Sequence, residues 1–263
     1  MKLRVLLVLL SFCCTVAQAQ IVTDGLVGYW TFDNADIKGD EVSDVWGNNH
    51  GKTVGAPESV AGKVGEALQF NGSSDWMEIP RHESLQFDEN AVTMAVWVKA
   101  LGGEDDWIIY DGNAGRSGYA LVHDNREGQD SFGISFWNEA GVRHNILGDG
   151  TYRHPMEEWH YVVGILDGNK MRKYVNGKLE AETDFAGKIR KNAVDPVHIA
   201  RYGFAGGYFV NGALDELTIY AKALSDAEIQ MNFTAEGLAT QVQPRGKLST
   251  VWGVLKRQNG FTR

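Results

Sequence analysis

Apolar residues along this chain occur in short runs that glycine, asparagine and aspartate separate. Some runs alternate apolar and polar positions, as half-buried strands do, and others are continuous, as strands covered on both faces are. Asn176-Gly177 between two runs is a type I′ hairpin signal. The pattern predicts an all-β fold, a two-sheet antiparallel jelly-roll sandwich. The predicted strands lie in 25–33, 66–70, 76–80, 92–99, 107–110, 119–123, 132–137, 159–166, 171–175, 179–185, 197–200 and 209–220.

The last of these runs carries an acid inside a strand. Strict alternation puts Asp215 on the same face as Leu217 and Ile219. A carboxylate among aliphatic side chains is costly unless something compensates its charge. After the strand the period changes, and Ser225 and Glu228 have capping-box spacing, which predicts a short closing helix.

The N-terminal segment has the features of a secretory signal peptide. Lys2 and Arg4 form a basic start, an apolar run covers 5–16, and an A-x-A cleavage signal covers 17–19. We therefore predict a signal peptide over 1–19 and a secreted or cell-surface, extracytoplasmic protein.

Cleavage at that point removes both cysteines, Cys13 and Cys14. The mature domain, 20–236, then has no disulfide, and we expect no transmembrane span in it. The alternative is a lipid anchor on Cys13, but bulky Phe12 stands where such signals have a small residue.

The C-terminal segment 237–263 differs in character, because it contains basic residues and no acid. Leu248, Val251, Trp252 and Leu255 have helical spacing, which predicts at most a short amphipathic helix. Two interpretations stay open: a packed or loose C-terminal extension, or a sorting or surface-attachment signal.

The net charge of the chain limits the classes of molecule that it is expected to bind. Without the signal segment the chain has 23 basic and 34 acidic residues, a net charge of −11. This balance disfavours nucleic-acid binding, which depends on Lys and Arg. It is compatible with bound cations and with neutral ligands.

Seven segments form a characteristic series along the chain: 28–33, the Gly-Asn-rich loop through His50-Gly51, 65–72, 93–98, 159–163, 174–179 and 214–220. Taken in order, they resemble a laminin-G-like domain of the concanavalin A-like lectin/glucanase superfamily. The resemblance covers roughly residues 22–232 and implies two stacked antiparallel sheets with a bound calcium ion. It does not imply one function, because this fold is shared by lectins, adhesion domains and glycosidases.

A calcium site between the first and last strands is the first candidate. Ca²⁺ takes six to eight oxygen ligands from carboxylates, carbonyls and water. Asp33 ends the first strand and Asp215 lies in the last, and the resemblance points to the same two acids. The loop at His50 and the turn at Asn71 are the expected carbonyl donors. The alternative is that both acids cap turns or pair with arginine.

A catalytic acid pair is the second candidate. Alternation in 180–184 puts Glu180, Glu182 and Asp184 on one face, with neighbours about 7 Å apart. Retaining glycosidases hold two carboxyl groups about 5–5.5 Å apart. The order Glu-x-Glu-x-Asp departs from the glucanase pattern, and the alternative is a charged edge strand that prevents aggregation.

A ligand surface is the third candidate. Aromatic faces and polar side chains together are typical of glycan sites, and we select Trp107, Tyr110, Arg116 and Tyr202 as contacts. The alternative is that these aromatic residues belong to the core. The wider set is Trp76, Trp107, Tyr110, Tyr119, Trp137, Tyr202 and Tyr208 with Asp105, Asp106, Asp111, Asn113, Arg116, Asn138 and Arg143.

Together these features favour a secreted, non-enzymatic module that binds carbohydrate, an extracellular glycoconjugate or a matrix component, with one structural calcium. A glycoside hydrolase or lyase using Glu180 and Glu182 is the first alternative. A surface adhesion or structural protein without a small ligand is the second.

Overall fold

Strands are the main regular secondary structure of the described chain. The computed structural model describes residues 20–87, 89–113, 117–203 and 207–235; the segments 1–19 and 237–263 and Arg116 lie outside these ranges. The elements are β1 (Leu26–Trp30), β2 (Ile37–Lys38), β3 (Glu41–Val42), β4 (Gly51–Val54), β5 (Glu58–Ala61), β6 (Glu66–Asn71), β7 (Trp76–Ile79), β8 (Ala91–Gly102), β9 (Asp105–Asp111), β10 (Tyr119–Asp124), β11 (Ser131–Trp137), β12 (Arg143–Ile146), β13 (His160–Asp167), β14 (Lys170–Val175), β15 (Lys178–Asp184), β16 (Val197–Ile199), β17 (Asn211–Tyr220) and the helix α1 (Asp226–Thr234). Short 3₁₀ turns cover Asn34–Asp36, Glu83–Leu85 and Arg126–Gly128.

The strands form two antiparallel sheets. The eight-stranded sheet has the order β15-β14-β13-β8-β17-β6-β5, and β1 also pairs with β17. The nine-stranded sheet has the order β12-β11-β10-β9-β16-β7-β4-β3-β2. Residues distant in sequence are neighbours in both sheets, as the pairing of β8 with β17 shows. This confirms the all-β, two-sheet antiparallel jelly-roll sandwich predicted from the sequence.

The main hydrophobic core lies between the two sheets. In β8, Met94, Val96 and Val98 enter this core, while Ala95 and Trp97 point to the outer face of the eight-stranded sheet. The apolar side chains on both faces explain why the β8 segment is a continuous apolar run instead of an alternating one.

The helix α1 covers the outer face of the eight-stranded sheet. The predicted capping box is confirmed: the Ser225 hydroxyl accepts from the Glu228 backbone N–H, and the Glu228 carboxylate accepts from the Ser225 N–H. Ile229 of the helix packs on the aromatic residues of that face. None of the described helices is long and apolar enough to cross a membrane.

The helix also brings the two ends of the described chain together. The Asn232 side chain accepts from the Val22 backbone N–H at 2.8 Å and donates to the Tyr220 hydroxyl at 2.9 Å. Tyr220 in turn donates to the Val22 carbonyl at 3.0 Å. Residues near both ends therefore lie on the outer face of the eight-stranded sheet.

The strand β17 changes partner halfway along its length. On one side it pairs with β8; on the other it pairs with β6 over Asn211–Leu214 and then with β1 from Leu217 onward. Between these two halves the register shifts and Glu216 has a φ of 53°. The predicted strict alternation is wrong here, because this irregularity lets Leu214 join Leu217 and Ile219 in the same core.

Replacement of Leu217 by alanine tests the core assignment. Leu217 is fully buried in β17, so we expect Leu217→Ala to lower the free energy of unfolding by about 2–5 kcal/mol. Leu179→Ala removes the same atoms from a side chain that is 48% exposed and is expected to change it by less than about 1 kcal/mol. Urea denaturation of both variants measures the difference, and equal losses would contradict the assignment.

Candidate functional site

Two of the residues predicted to bind metal, Asp33 and Asp215, hold the same turn. The Asp215 Oδ2 accepts from the backbone N–H groups of Lys63 and Val64 at 2.8 and 2.9 Å. The Asp33 Oδ1 accepts from the N–H of Glu66 at 2.7 Å. This turn joins β5 to β6 and lies against the point where β17 changes partner. The structure thus brings both carboxylates to one corner of the sandwich.

Asp215 and Glu216 at this corner are buried, and Asp33 is half-buried. Burial raises the pKa of Asp215 to about 7, against the hydrogen bonds from Val64 and Lys63, and the negative charge of Asp33 raises it further. Burial is also the main cause that raises the pKa of Asp33. The next residue, Glu216, has its pKa raised to about 8, again chiefly by burial, although Tyr29 donates a hydrogen bond to it.

One oxygen at this corner has no partner. Asp215 Oδ1 is buried and lacks a hydrogen bond within the described part of the chain. A divalent cation would supply that oxygen with a partner and would offset the repulsion between Asp33 and Asp215. Within the same ranges no three His, Cys, Asp or Glu side chains are grouped to hold a metal ion. A calcium ion here would therefore need backbone carbonyls or water as further ligands.

The other two predicted metal residues lie elsewhere. Asn71 pairs with Asn211, four residues and therefore about 13 Å along β17 from Asp215. Its side-chain oxygen accepts from the N–H groups of Ser73 and Ser74 and closes a turn. His50 is exposed, and its Nδ1 accepts from the Asp44 N–H at 3.1 Å.

The loop before β4 is organised by a residue that the sequence did not single out. Asp44 is 4% exposed, and its carboxylate accepts hydrogen bonds from several backbone N–H groups at about 3 Å. Its donors are the N–H groups of Tyr29, Trp46, Gly47 and Asn49. The only available signal was an acid in a Gly- and Asn-rich loop, which does not identify one acid among several.

The predicted acid pair on one face of β15 is wrong. The register of β14 and β15 shifts between Lys173 and Tyr174, which turns Glu180 inward. The Glu180 carboxylate is 4% exposed and lies 2.8 Å from His154 Nε2 and 3.2 Å from Lys173 Nζ. The Glu182 carboxylate is 37% exposed and pairs with Arg172 and Lys170. The two carboxylates therefore have separate partners.

Three of the predicted ligand residues form one aromatic cluster on the outer face of the nine-stranded sheet. The ring centroids of Trp107 and Tyr110 each lie 4.7 Å from that of Tyr202. Trp107 and Tyr110 are only 6% and 1% exposed, whereas Tyr202 is half-buried. Trp107 and Tyr110 form the buried lower layer of the cluster, and Tyr202 packs on top of them.

An arginine completes the upper layer of this cluster. The Arg143 Cζ lies 5.3 Å from the ring centroids of both Trp107 and Trp137. Its Nε and Nη2 donate to the buried Ser135 hydroxyl at 3.0 and 2.8 Å. Since Trp137 is half-buried and Arg143 is exposed, both present surface to solvent. We call Trp107, Tyr110, Trp137, Arg143 and Tyr202 the aromatic–arginine surface.

An adjoining cleft extends this surface. It has a volume of about 660 Å³ and includes Asp105, which lies on the same face of β9 as Trp107. Tyr208 stands at this cleft, 52% exposed, with its ring perpendicular to that of Tyr202 at 5.9 Å. Burial raises the pKa of Asp105. The cleft is lined by Asn71, Gly72, Gly103, Glu104, Asp105, Asp106, Arg126, Tyr208, Phe209 and Asn211.

Other members of the wider predicted set are internal. Tyr119 is 1% exposed in the core between the sheets. Asp111 is buried against Arg81 and Asn192. Asp106 is 4% exposed and faces His123 at 3.8 Å.

Comparison with protein families gives one match. The family model is a laminin G model described as "Concanavalin A-like lectin/glucanases superfamily", and it matches residues 71–230. No curated protein sequence matches the chain.

Solved structures with a similar fold include several modules of larger proteins. Domain 4 of AbnA, a GH43 extracellular arabinanase from Geobacillus stearothermophilus in complex with arabinotriose, has a TM-score of 0.61 at 17% identity, over 80% of this chain and 98% of that chain. The binding domain of Paraclostridial Mosquitocidal Protein 1 has a TM-score of 0.63 at 17% identity, over 80% of this chain and 52% of that one. Trypanosoma rangeli sialidase with the inhibitor DANA has a TM-score of 0.60 at 18% identity, over 81% and 33%. At these identities the likeness shows the fold alone.

The raised pKa of Asp215 predicts how stability depends on pH without metal. Between the ordinary aspartate value of 3.8 and about 7, the folded state keeps a proton that the unfolded state has lost. In EDTA the free energy of unfolding should therefore fall as pH rises through this window. We expect the free energy of unfolding of Asp215→Asn to decrease less with rising pH than that of wild type.

Denaturant titrations at intervals from pH 4 to pH 7 measure this dependence. Asp184→Asn is the control, because that carboxylate is 82% exposed and should leave the slope unchanged. A slope that is equally steep in wild type and Asp215→Asn would contradict the interpretation.

Proposed function

This chain belongs to the laminin G family of the concanavalin A-like lectin/glucanase superfamily, and we propose that it is a secreted, non-enzymatic module that binds carbohydrate. The observation that carries the proposal is the aromatic–arginine surface on the outer face of the nine-stranded sheet. Aromatic faces pack against the C–H groups of a sugar ring, and neighbouring polar groups bond its hydroxyls.

The contacts on this surface differ in role. Trp137, Tyr202 and Tyr208 present partly or largely exposed rings, and the buried Trp107 and Tyr110 hold the layer above them. Side chains supported in this way lose little freedom when a ligand binds, which favours affinity. The adjoining cleft at Asp105 gives room for a second sugar unit or a branch.

The separation of Glu180 from Glu182 supports a binding role over hydrolysis. Glycoside hydrolysis needs one carboxyl group as acid and a second as nucleophile or base beside the same bond. Here the two carboxylates are committed to different basic partners. The solved domain of the Geobacillus arabinanase, which holds arabinotriose, is an example of a sugar-bound domain with this fold.

We further propose a structural calcium ion at Asp33 and Asp215. The unpartnered Asp215 Oδ1 and the desolvation of both carboxylates support this assignment. The ion would neutralise the corner where β1, β6 and β17 meet and would supply no chemistry to a ligand. Secretion is part of the same proposal and rests on the signal-peptide features of 1–19.

Loss of an exposed ring should weaken carbohydrate binding. A glycan array with the purified protein identifies a ligand, and isothermal titration calorimetry then measures its affinity. We expect Trp137→Ala to weaken that affinity about tenfold, because a stacking contact is lost. Trp46→Ala is the matched control, since Trp46 is 46% exposed in the loop before β4. Binding to no saccharide on the array would overturn the proposed function.

Calcium should stabilise the fold through the two carboxylates. Without EDTA, calcium at about one hundred times its dissociation constant should add about 2.7 kcal/mol to the free energy of unfolding. We expect Asp33→Asn and Asp215→Asn each to abolish most of this gain, measured as a shift in Tm with and without EDTA. Asp184→Asn should keep the gain. A wild-type Tm that is the same in calcium and EDTA would remove the ion from the proposal.

A further inference from the structure

The guanidinium of Arg143 is held in one orientation at the protein surface. Ser135 accepts from its Nε and Nη2, and its Cζ lies 5.3 Å from the ring centroids of both Trp107 and Trp137. Ser135 is fully buried, so the anchor below the guanidinium belongs to the rigid sheet. The residue itself is exposed. Contacts of this kind fix the direction of the remaining N–H groups before any ligand arrives.

The charge of Arg143 is not paired within the described chain. Its hydrogen-bond acceptor is a neutral hydroxyl, and no described carboxylate lies within 4.0 Å of it. Arg126, which interacts electrostatically with Arg143, is different, because Asp124 accepts from its Nε and Nη2 at 2.7 and 2.8 Å. The two nearby arginines thus differ. The charge of Arg126 is compensated by the buried Asp124, whereas that of Arg143 has no described carboxylate beside it.

Asp105 is the acid that acts on Arg143 from the neighbouring cleft. It raises the pKa of Arg143, while the partial desolvation of the guanidinium, which lies against Ser135 although the residue is exposed, is the larger effect and lowers that pKa. Asp105 is half-buried, and among the described residues it forms no ion pair with Arg143 within 4.0 Å, so it does not occupy the guanidinium donors. The unused donors of Arg143 therefore remain the most direct attraction for an anionic group at this surface.

We infer that the aromatic–arginine surface selects saccharides that carry an acidic group, with Arg143 as the residue that bonds the anion. A planar guanidinium presents parallel N–H groups that match the two oxygens of a carboxylate or sulfate. The flanking indole of Trp137 covers the apolar face of the same sugar. This inference rests on the proposed function, since it assigns a ligand class to the same surface.

The test compares acidic and neutral saccharides of matched structure. The probes are 3′-sialyllactose against lactose, trigalacturonate against galactotriose, and a sulfated against an unsulfated lactose. The first two pairs report on carboxylates and the third on sulfate. Isothermal titration calorimetry gives the affinity of wild type, Arg143→Gln, Arg143→Lys and Lys178→Gln for each probe.

For at least one pair we expect wild type to prefer the acidic member. Arg143→Gln should lower the ratio of acidic to neutral affinity about tenfold or more, because a charge-assisted bond is lost. Arg143→Lys keeps the charge without the planar fork, so it should restore part of that ratio. Lys178→Gln removes an equal charge from the exposed edge strand of the other sheet and should keep the wild-type ratio.

Three results would overturn the inference. A wild type that binds neutral saccharides as well as acidic ones would leave the proposed function in place and remove the acidic selectivity. A ratio unchanged in Arg143→Gln would assign the selectivity to other residues, provided that its Tm matches wild type. Binding to none of the probes and to no saccharide on the array would remove the proposed function together with the inference.

Discussion

Two adjacent carboxylates on an inner strand of the eight-stranded sheet impose the main constraint on this molecule. Asp215 and Glu216 lie where β17 exchanges one neighbouring strand for another, and burial raises the pKa of both. Each is stabilised from a different direction: the turn between β5 and β6 donates to Asp215, and Tyr29 of β1 donates to Glu216. These hydrogen bonds reach Asp215 Oδ2 and Glu216 Oε2, but they do not cancel the negative charge. A proton or a cation at this corner would offset that charge.

The fold could be predicted from the sequence because the features that indicate it are local. Apolar runs, turn residues and the capping box of Ser225 and Glu228 each act within a few positions, and the structure confirms the sandwich that they predict. The irregularities in strand register could not be predicted from the sequence. Register shifts at Glu216 and at Glu180 change which face a side chain reaches, and both depend on how a strand meets its neighbours across the sheet.

The candidate site shows the same division. Aromatic and charged residue types indicated a saccharide surface, and the structure gathers Trp107, Tyr110 and Tyr202 into one cluster. Composition could not show that Trp107 and Tyr110 are buried while Tyr202 is partly exposed, because this difference depends on the order of β9, β10 and β11 in the sheet. The role of Asp44 in organising the loop before β4 could not be predicted either. Its backbone partners come from segments that only the folded loop brings together.

The hydrogen bonds among Val22, Asn232 and Tyr220 have a consequence for how the module is displayed. They fasten the beginning and end of the described chain side by side, behind the sheet that α1 covers. The aromatic–arginine surface is on the opposite side of the sandwich. Anything joined at either end, whether a linker, a neighbouring domain or an attachment point, therefore sits at the back of the module. The aromatic–arginine surface is then turned outward, toward whatever the protein meets.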